Sequence, residues 1–207
     1  MKNVFSTGHK LLTGLTLLLL AGSLMAESSI PATYVKPDTD LAKYKRVLVK
    51  PLNMVDIEIL KPAWEQDNDE VWVFKAEASI AVQEWFMDAM QLELETNGGY
   101  AMVSESADDV LRIEVELLSI TPYVKPGTRA GDINGHVIST LGSGDLVVSA
   151  EFRDSQTREL LILVEGERTI GSEYKELSYE NHVANLKAVF EEWGSKIRKA
   201  LDEAHGK

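Results

Sequence analysis

DVLRIEVELLSIT, residues 109–121, decides the fold. Leu111, Ile113, Val115 and Leu117 alternate with Arg112, Glu114 and Glu116. Successive side chains of a strand point to opposite faces, so this stretch buries one face and wets the other. That is the pattern of a sheet covered on a single side. Working outward, residues 144–154 repeat it, with Leu146, Val148, Ala150 and Phe152 on one face. In residues 159–171, Leu160, Ile162 and Val164 fall on one face, and Leu161 and Leu163 on the other. Between these two runs stands Arg153-Asp154-Ser155, followed by Gln156, Thr157 and Arg158. Its charges resemble a fragment of an active site, but its place between two alternating strands predicts a hairpin turn.

The remaining elements follow from period and punctuation. Residues 44–51 read as a strand built on Val47, Leu48 and Val49 and ended by Pro51, with residues 55–60 extending or resuming it. Ala78, Val82, Trp85, Ala89 and Leu92 recur at three- and four-residue steps, which predicts a helix over residues 76–96. Asn97-Gly98-Gly99 stops it, because glycine takes the left-handed cap without a side-chain clash. A short strand follows at 100–104. Val183, Leu186, Val189, Phe190, Trp193, Ile197 and Leu201 predict a last helix over 179–204. The expectation is an α+β fold of order β-α-β-β-β-β-α: a mixed, mostly antiparallel sheet of about five strands with two helices packed on one face. The first strand-helix-strand unit is expected to be a right-handed parallel crossover.

The first residues read as an export signal. Lys2 and Lys10 precede an apolar run over residues 11–20, and Ala21, Gly22, Ser23 and Ala26 supply small residues near a cut. The run is shorter than the roughly 20 residues of a membrane-spanning helix. Cleavage is expected after Ala26, with Ser23 as the second choice. Residues 27–43 then form an extended tether, and one domain occupies 44–205. Leu20-Ala21-Gly22 is followed by Ser23 where a bacterial lipoprotein carries cysteine. Lipidation alkylates a thiol, the chain has no cysteine, and a serine hydroxyl is too weak a nucleophile to replace it. No lipid anchor is therefore expected, and the predicted location is the periplasm. Loss of the two leader lysines takes the formal net charge from −12 to −14, a surface that phosphate backbones repel, so nucleic acid is excluded as a partner.

The search for chemistry ends without a catalytic set, metal or cofactor. Asp67-Asn68-Asp69-Glu70 has the acids of a calcium loop, but the sixth and twelfth positions from Asp67 hold Trp72 and Ala78 instead of glycine and an acid. The mature histidines, His136, His182 and His205, lack zinc-ligand spacing. Gly142-Ser143-Gly144 lacks the spacing of a hydrolase elbow. Trp85 and Trp193 fall at helical spacing and read as core, while Trp64 and Trp72 beside the acidic loop are unassigned. Residues 122–145 form the longest connection, which a short strand at 136–140 could shorten, and hold the candidate partner-binding residues Arg129, Asp132, Asn134, His136 and Asp145.

Tyr44-Lys-Arg-Val-Leu-Val-Lys-Pro51, Leu111-Arg-Ile, the hairpin from Ala150 to Leu160, and Phe190-Glu-Glu-Trp193-Gly194 together resemble the bacterial domain-of-unknown-function family 3313. The resemblance implies an envelope protein, many relatives being lipoprotein-like, and supplies no catalytic residues. The family's turn usually carries glycine where this chain has Arg158, and its lipidated relatives carry cysteine where this chain has Ser23. Three functions stay open. The first is a non-enzymatic exported accessory protein that binds another envelope protein. The second is a small-ligand or glycan binder using Trp64 and Trp72, and the third a hydrolase using Asp132 and Asp145.

Overall fold

The computed structural model describes residues 31–65, 69–126, 132–133 and 136–207, and of residues 132, 133, 136 and 137 the backbone alone. The predicted leader, its cut and Ser23 lie outside the described residues. In chain order the strands are β1 (Ala32–Val35), β2 (Arg46–Val49) and β3 (Glu58–Ile59). Helix α1 (Ala76–Met90) comes next, then β4 (Ala101–Met102), β5 (Val110–Pro122), β6 (Asp132–Ile133), β7 (His136–Val137) and β8 (Ser139–Leu141). The long hairpin β9 (Gly144–Asp154) and β10 (Leu160–Thr169) follows, then β11 (Tyr174–Glu176) and α2 (Tyr179–Ala204).

The class is the expected α+β, with more strands than the five predicted. The main sheet has seven, in the order β1-β10-β9-β5-β2-β4, with β3 pairing β5 off that path. β5 pairs β9, β9 pairs β10 and β10 pairs β1 antiparallel, whereas β2 pairs both β4 and β5 parallel. Helix α1 therefore lies between two strands that pair parallel, β2 and β4, which is the parallel part of the crossover reading.

The stripe that opened the argument is the floor of the core. Leu111, Ile113, Val115 and Leu117 are buried, and they face Asp154, Phe152, Ala150 and Val148 across the β9 ladder. On the parallel side Val47 and Val49 meet Leu111 and Ile113. Above them lie Val82, Phe86, Ala89, Met90 and Leu94 from the first helical segment, and Leu186, Val189, Phe190 and Leu201 from α2. The two helices run parallel: Phe86 meets Phe190 edge to face at 5.6 Å, and eight residues further along Arg198 reaches Glu93 at 3.2 Å. Gly194 permits that approach, since a Cβ there would sit 2.9 Å from the Glu93 Cβ.

Four expectations are corrected. The segment read as a tether over residues 27–43 is described from residue 31, and there it joins the sheet as β1 beside β10; a short 3-10 turn, Leu41–Lys43, then leads into β2. β10 carries a bulge between Leu160 and Ile162, so Leu160 faces Arg153 while Ile162 faces Phe152. The extra residue puts Leu160 and Ile162 on opposite faces and leaves Leu161 buried. The first helix ends in a π-helical turn, Gln91–Asn97, whose wider winding shifts the stripe: Leu94 is buried and Leu92 is exposed. Finally, residues 122–145, read as a connection that one short strand at 136–140 could shorten, hold three short strands, β6, β7 and β8. The predicted stop does hold, and Gly99 takes the left-handed conformation at φ 73°.

Candidate functional site

Both helices begin at the same end of the sheet, where β5 finishes at Pro122 and β9 starts at Gly144. A cleft of about 450 Å³ opens there. One wall is the stretch leading into α1, with Val71, Trp72, Val73, Phe74 and Lys75; the other is the stretch leaving β5, with Pro122, Val124, Lys125 and Pro126. Tyr179 and His182, from the first turn of α2, complete the lining. Lys125 joins the walls through an ion pair with Glu70 at 2.6 Å. Both groups are about half exposed, so this clasp contributes little to stability.

The lining is apolar where it is deep and apolar again where it is wet. Trp72 is buried, yet Val71 is 79% and Val73 is 62% exposed, and Tyr179 is exposed beside them. Neither valine belongs to a helix or strand, so secondary structure does not account for placing them in water.

His182 is the buried titratable group of the site. Ser178 caps α2 through the Asn181 amide at 3.1 Å, which sets the first turn and turns His182 inward. Its Nδ1 lies 3.1 Å from the Ser143 carbonyl oxygen. A carbonyl only accepts, so Nδ1 donates and carries the proton. Burial pushes the ring's pKa below its ordinary value, against the opposing pull of the Ser143 carbonyl, and the ring is neutral near pH 7. Nε2 is then a lone-pair acceptor, and it has no partner among the described residues. The Nε1 proton of Trp72 is buried without an acceptor, and Nε2 of His205, at the far end of α2, is the other buried side-chain atom without a partner among the described residues.

Of the predicted site residues, Asp145 alone is described with its side chain, and it is not part of the cleft lining. Arg129 and Asn134 lie outside the described residues. Asp132 and His136 belong to the small β6–β7 ladder, where Asp132 pairs Val137 and His136 pairs Ile133. Asp145 is part of the main sheet: its carboxylate accepts bonds from the Tyr123 hydroxyl at 2.7 Å and the Thr169 hydroxyl at 2.9 Å. Burial and that bond push the Tyr123 hydroxyl up to about 12. Both bonds make Asp145 a strut between β9, β10 and the segment leaving β5. The two unassigned tryptophans separate, because Trp72 is buried in the cleft wall and Trp64 packs edge-on to Tyr123 at 5.1 Å.

The turn reading of Arg153-Asp154-Ser155 holds. The Asp154 carboxylate accepts bonds from Lys43 at 2.8 Å, the Tyr44 hydroxyl at 3.0 Å and the amides of Gln156 and Thr157. Burial alone would raise its pKa; Lys43, the Thr157 amide and Tyr44 together outweigh it and hold the carboxyl well below the usual range. Arg158 sits at φ 64°, the left-handed conformation that favours glycine. Calcium-type Asp67 lies outside the described residues, and among those described no cluster of three or more His, Cys, Asp or Glu side chains is placed to hold a metal. No helix among them is long and apolar enough to cross a membrane.

Sequence reasoning passed over the cleft. A signal for it existed in Val71-Trp72-Val73-Phe74, an apolar run outside every predicted element. His182 stands one turn before Leu186, at the head of the apolar stripe of α2.

The class defined by these observations is an α+β domain: one mixed sheet, two parallel helices on one face, and a cleft at the helices' N-terminal end. The chain belongs to the family described as "protein of unknown function (DUF3313)", whose model matches residues 20–197. Among solved structures it is similar to the PelC dodecamer from Paraburkholderia phytofirmans, at 12% identity and TM-score 0.38, over 81% of this chain and 95% of that one. It is also similar to protein XCC0632 from Xanthomonas campestris, at 9% identity and TM-score 0.41, over 74% and 81%. A third likeness is to a minor lipoprotein from Acinetobacter baumannii, at 10% identity and TM-score 0.32, over 72% and 92%. No curated protein matches the chain.

Proposed function

We propose that this protein is a non-enzymatic, exported accessory protein of the cell envelope that binds another envelope protein in the cleft. The observation that carries the reading is the mouth of that cleft, where Val71, Val73 and Tyr179 are exposed around a space of about 450 Å³. An apolar rim held in water by segments without regular structure is a surface made to be covered. Export rests on the leader over residues 1–26, with its two lysines and short apolar run. The periplasm is the compartment such a leader serves in a Gram-negative envelope.

The test is crosslinking in cells that export the native protein, followed by affinity capture, for the wild type and for a Val71→Ser, Val73→Ser, Tyr179→Ser variant. The reading expects one recurrent envelope protein, lost in the variant while its folding and export are unchanged. Equal recovery of the same proteins from both would end it.

A further inference from the structure

Two polar atoms in the wall of the cleft, His182 Nε2 and Trp72 Nε1, bear on what it takes. His182 presents a bare nitrogen, Nε2, because its single proton is committed to the Ser143 carbonyl on the other side of the ring. Only 8% of the residue is exposed, yet Nε2 itself is open to water, and an occupant that covers it takes that water away. An occupant must therefore bring a donor. A carboxylate or phosphate finds no proton on this ring. A cation finds one carboxylate in the lining, Glu70, already paired with Lys125, and meets Lys75 and the N-termini of α1 and α2 besides. A purely aliphatic group would leave a buried acceptor unpaired. What remains is a neutral donor on an apolar body. Trp72, Phe74, Pro122, Val124 and Pro126 line the cleft with apolar surface against which a ring can pack.

We propose that the cleft seats a tryptophan or tyrosine side chain of the bound protein, whose indole N–H or phenol O–H is accepted by Nε2 of His182. This inference rests on the partner-binding reading and names the anchor. Buried tryptophan and tyrosine anchors filling a pocket are the residues that dominate binding energy at protein interfaces. The orphaned Nε1 proton of Trp72 adds a second observation: a buried donor without an acceptor is a feature that folding alone disfavours, and it stands in the same wall.

The test titrates the full protein at pH 7 with indole and with 1-methylindole, which has the same ring and no N–H. The signals of the histidine ring nitrogens are followed by NMR. The proposal expects the His182 Nε2 signal of the free protein to be that of an unprotonated nitrogen. Indole then moves it saturably and binds about five-fold more tightly than 1-methylindole, the ratio one net hydrogen bond supplies. In His182→Phe the two probes bind alike. That variant removes the donor to Ser143 and risks misfolding, but the two-probe comparison on the wild type decides without it. Equal affinities, no binding by either probe, or a protonated Nε2 would overturn the proposal. Such a failure leaves the crosslinking test standing, because that test reads coverage of the rim and this one reads a bond to Nε2.

Discussion

The β5–β9 ladder has two ends, and they are built to different standards. At the turn end Leu111 faces Asp154; at the cleft end Pro122 faces Gly144. At the turn itself Asp154 and Ser155 are fully engaged, and one buried atom of that end, Nε2 of His205 beside Tyr100, has no partner. Asp154 holds Lys43, Tyr44 and two amides, and the Ser155 hydroxyl both donates to the Ala107 carbonyl at 2.8 Å and accepts from the Ala107 amide at 3.1 Å. At the cleft end a neutral imidazole has a free lone pair, an indole N–H is buried unpaired, and two valines face water. A folded chain gains by satisfying its buried polar groups, so the closed end serves the fold. The open end departs from that rule with several residues at once, which is the pattern expected of a binding site.

The largest effect is expected from breaking the closed end. Asp154→Ala removes a buried carboxylate and leaves the Tyr44 hydroxyl without its acceptor. A loss of about 3 kcal/mol is expected in urea unfolding, with crosslinks from the cleft unchanged in protein that remains folded.

The second prediction separates the ends by pH. Burial lowers the folded-state pKa of His182 from 6.5, so below that pH the unfolded chain binds more protons than the folded one. This contribution to stability is whole above pH 6.5 and is lost as the pH falls below it, until the folded ring itself protonates. Asp154 works lower: its contribution is whole above the ordinary 3.8 and is lost as the pH drops toward its depressed folded value. Urea midpoints measured from pH 7.5 to 3 should show both declines, and His182→Gln should flatten only the upper one. A profile unchanged by that substitution would contradict the buried neutral ring.

A smaller effect sharpens the closed end. Arg158 takes a left-handed backbone, the conformation that favours glycine, so Arg158→Gly is expected to stabilise by about 0.5–1 kcal/mol in the same assay. Smallest of all, Val71→Ser with Val73→Ser should change folding stability by less than about 0.5 kcal/mol, because both side chains are already in water. A large destabilisation would mean that the rim belongs to the core after all.

How far the chain could be read without its structure follows the same division. The β5 stripe, the β9 face, the asparagine-glycine stop and the Asp154 turn are local patterns, each decided within a few residues, and they came out as read. The π-turn that buries Leu94 and the bulge that buries Leu161 are slips of one residue set by what lies opposite, which period counting does not contain. β1 is held to β10 by backbone pairing and all four of its side chains are exposed, so no alternation announces it. His182 was weighed only as a metal ligand by its spacing, and Val71 to Phe74 were left between elements. Their meeting depends on parallel packing of two helices about a hundred positions apart in the chain, which only the assembled fold provides.

The most direct test places a photo-crosslinking amino acid at Val73 in one strain and at Gln156 in another, with the exported protein otherwise native. The account predicts that Val73, at the mouth of the cleft, captures one recurrent envelope protein, and that Gln156, at the closed turn, captures none. The same partner from both positions, or none from Val73, would contradict the claim that the open end of the ladder is where this protein works.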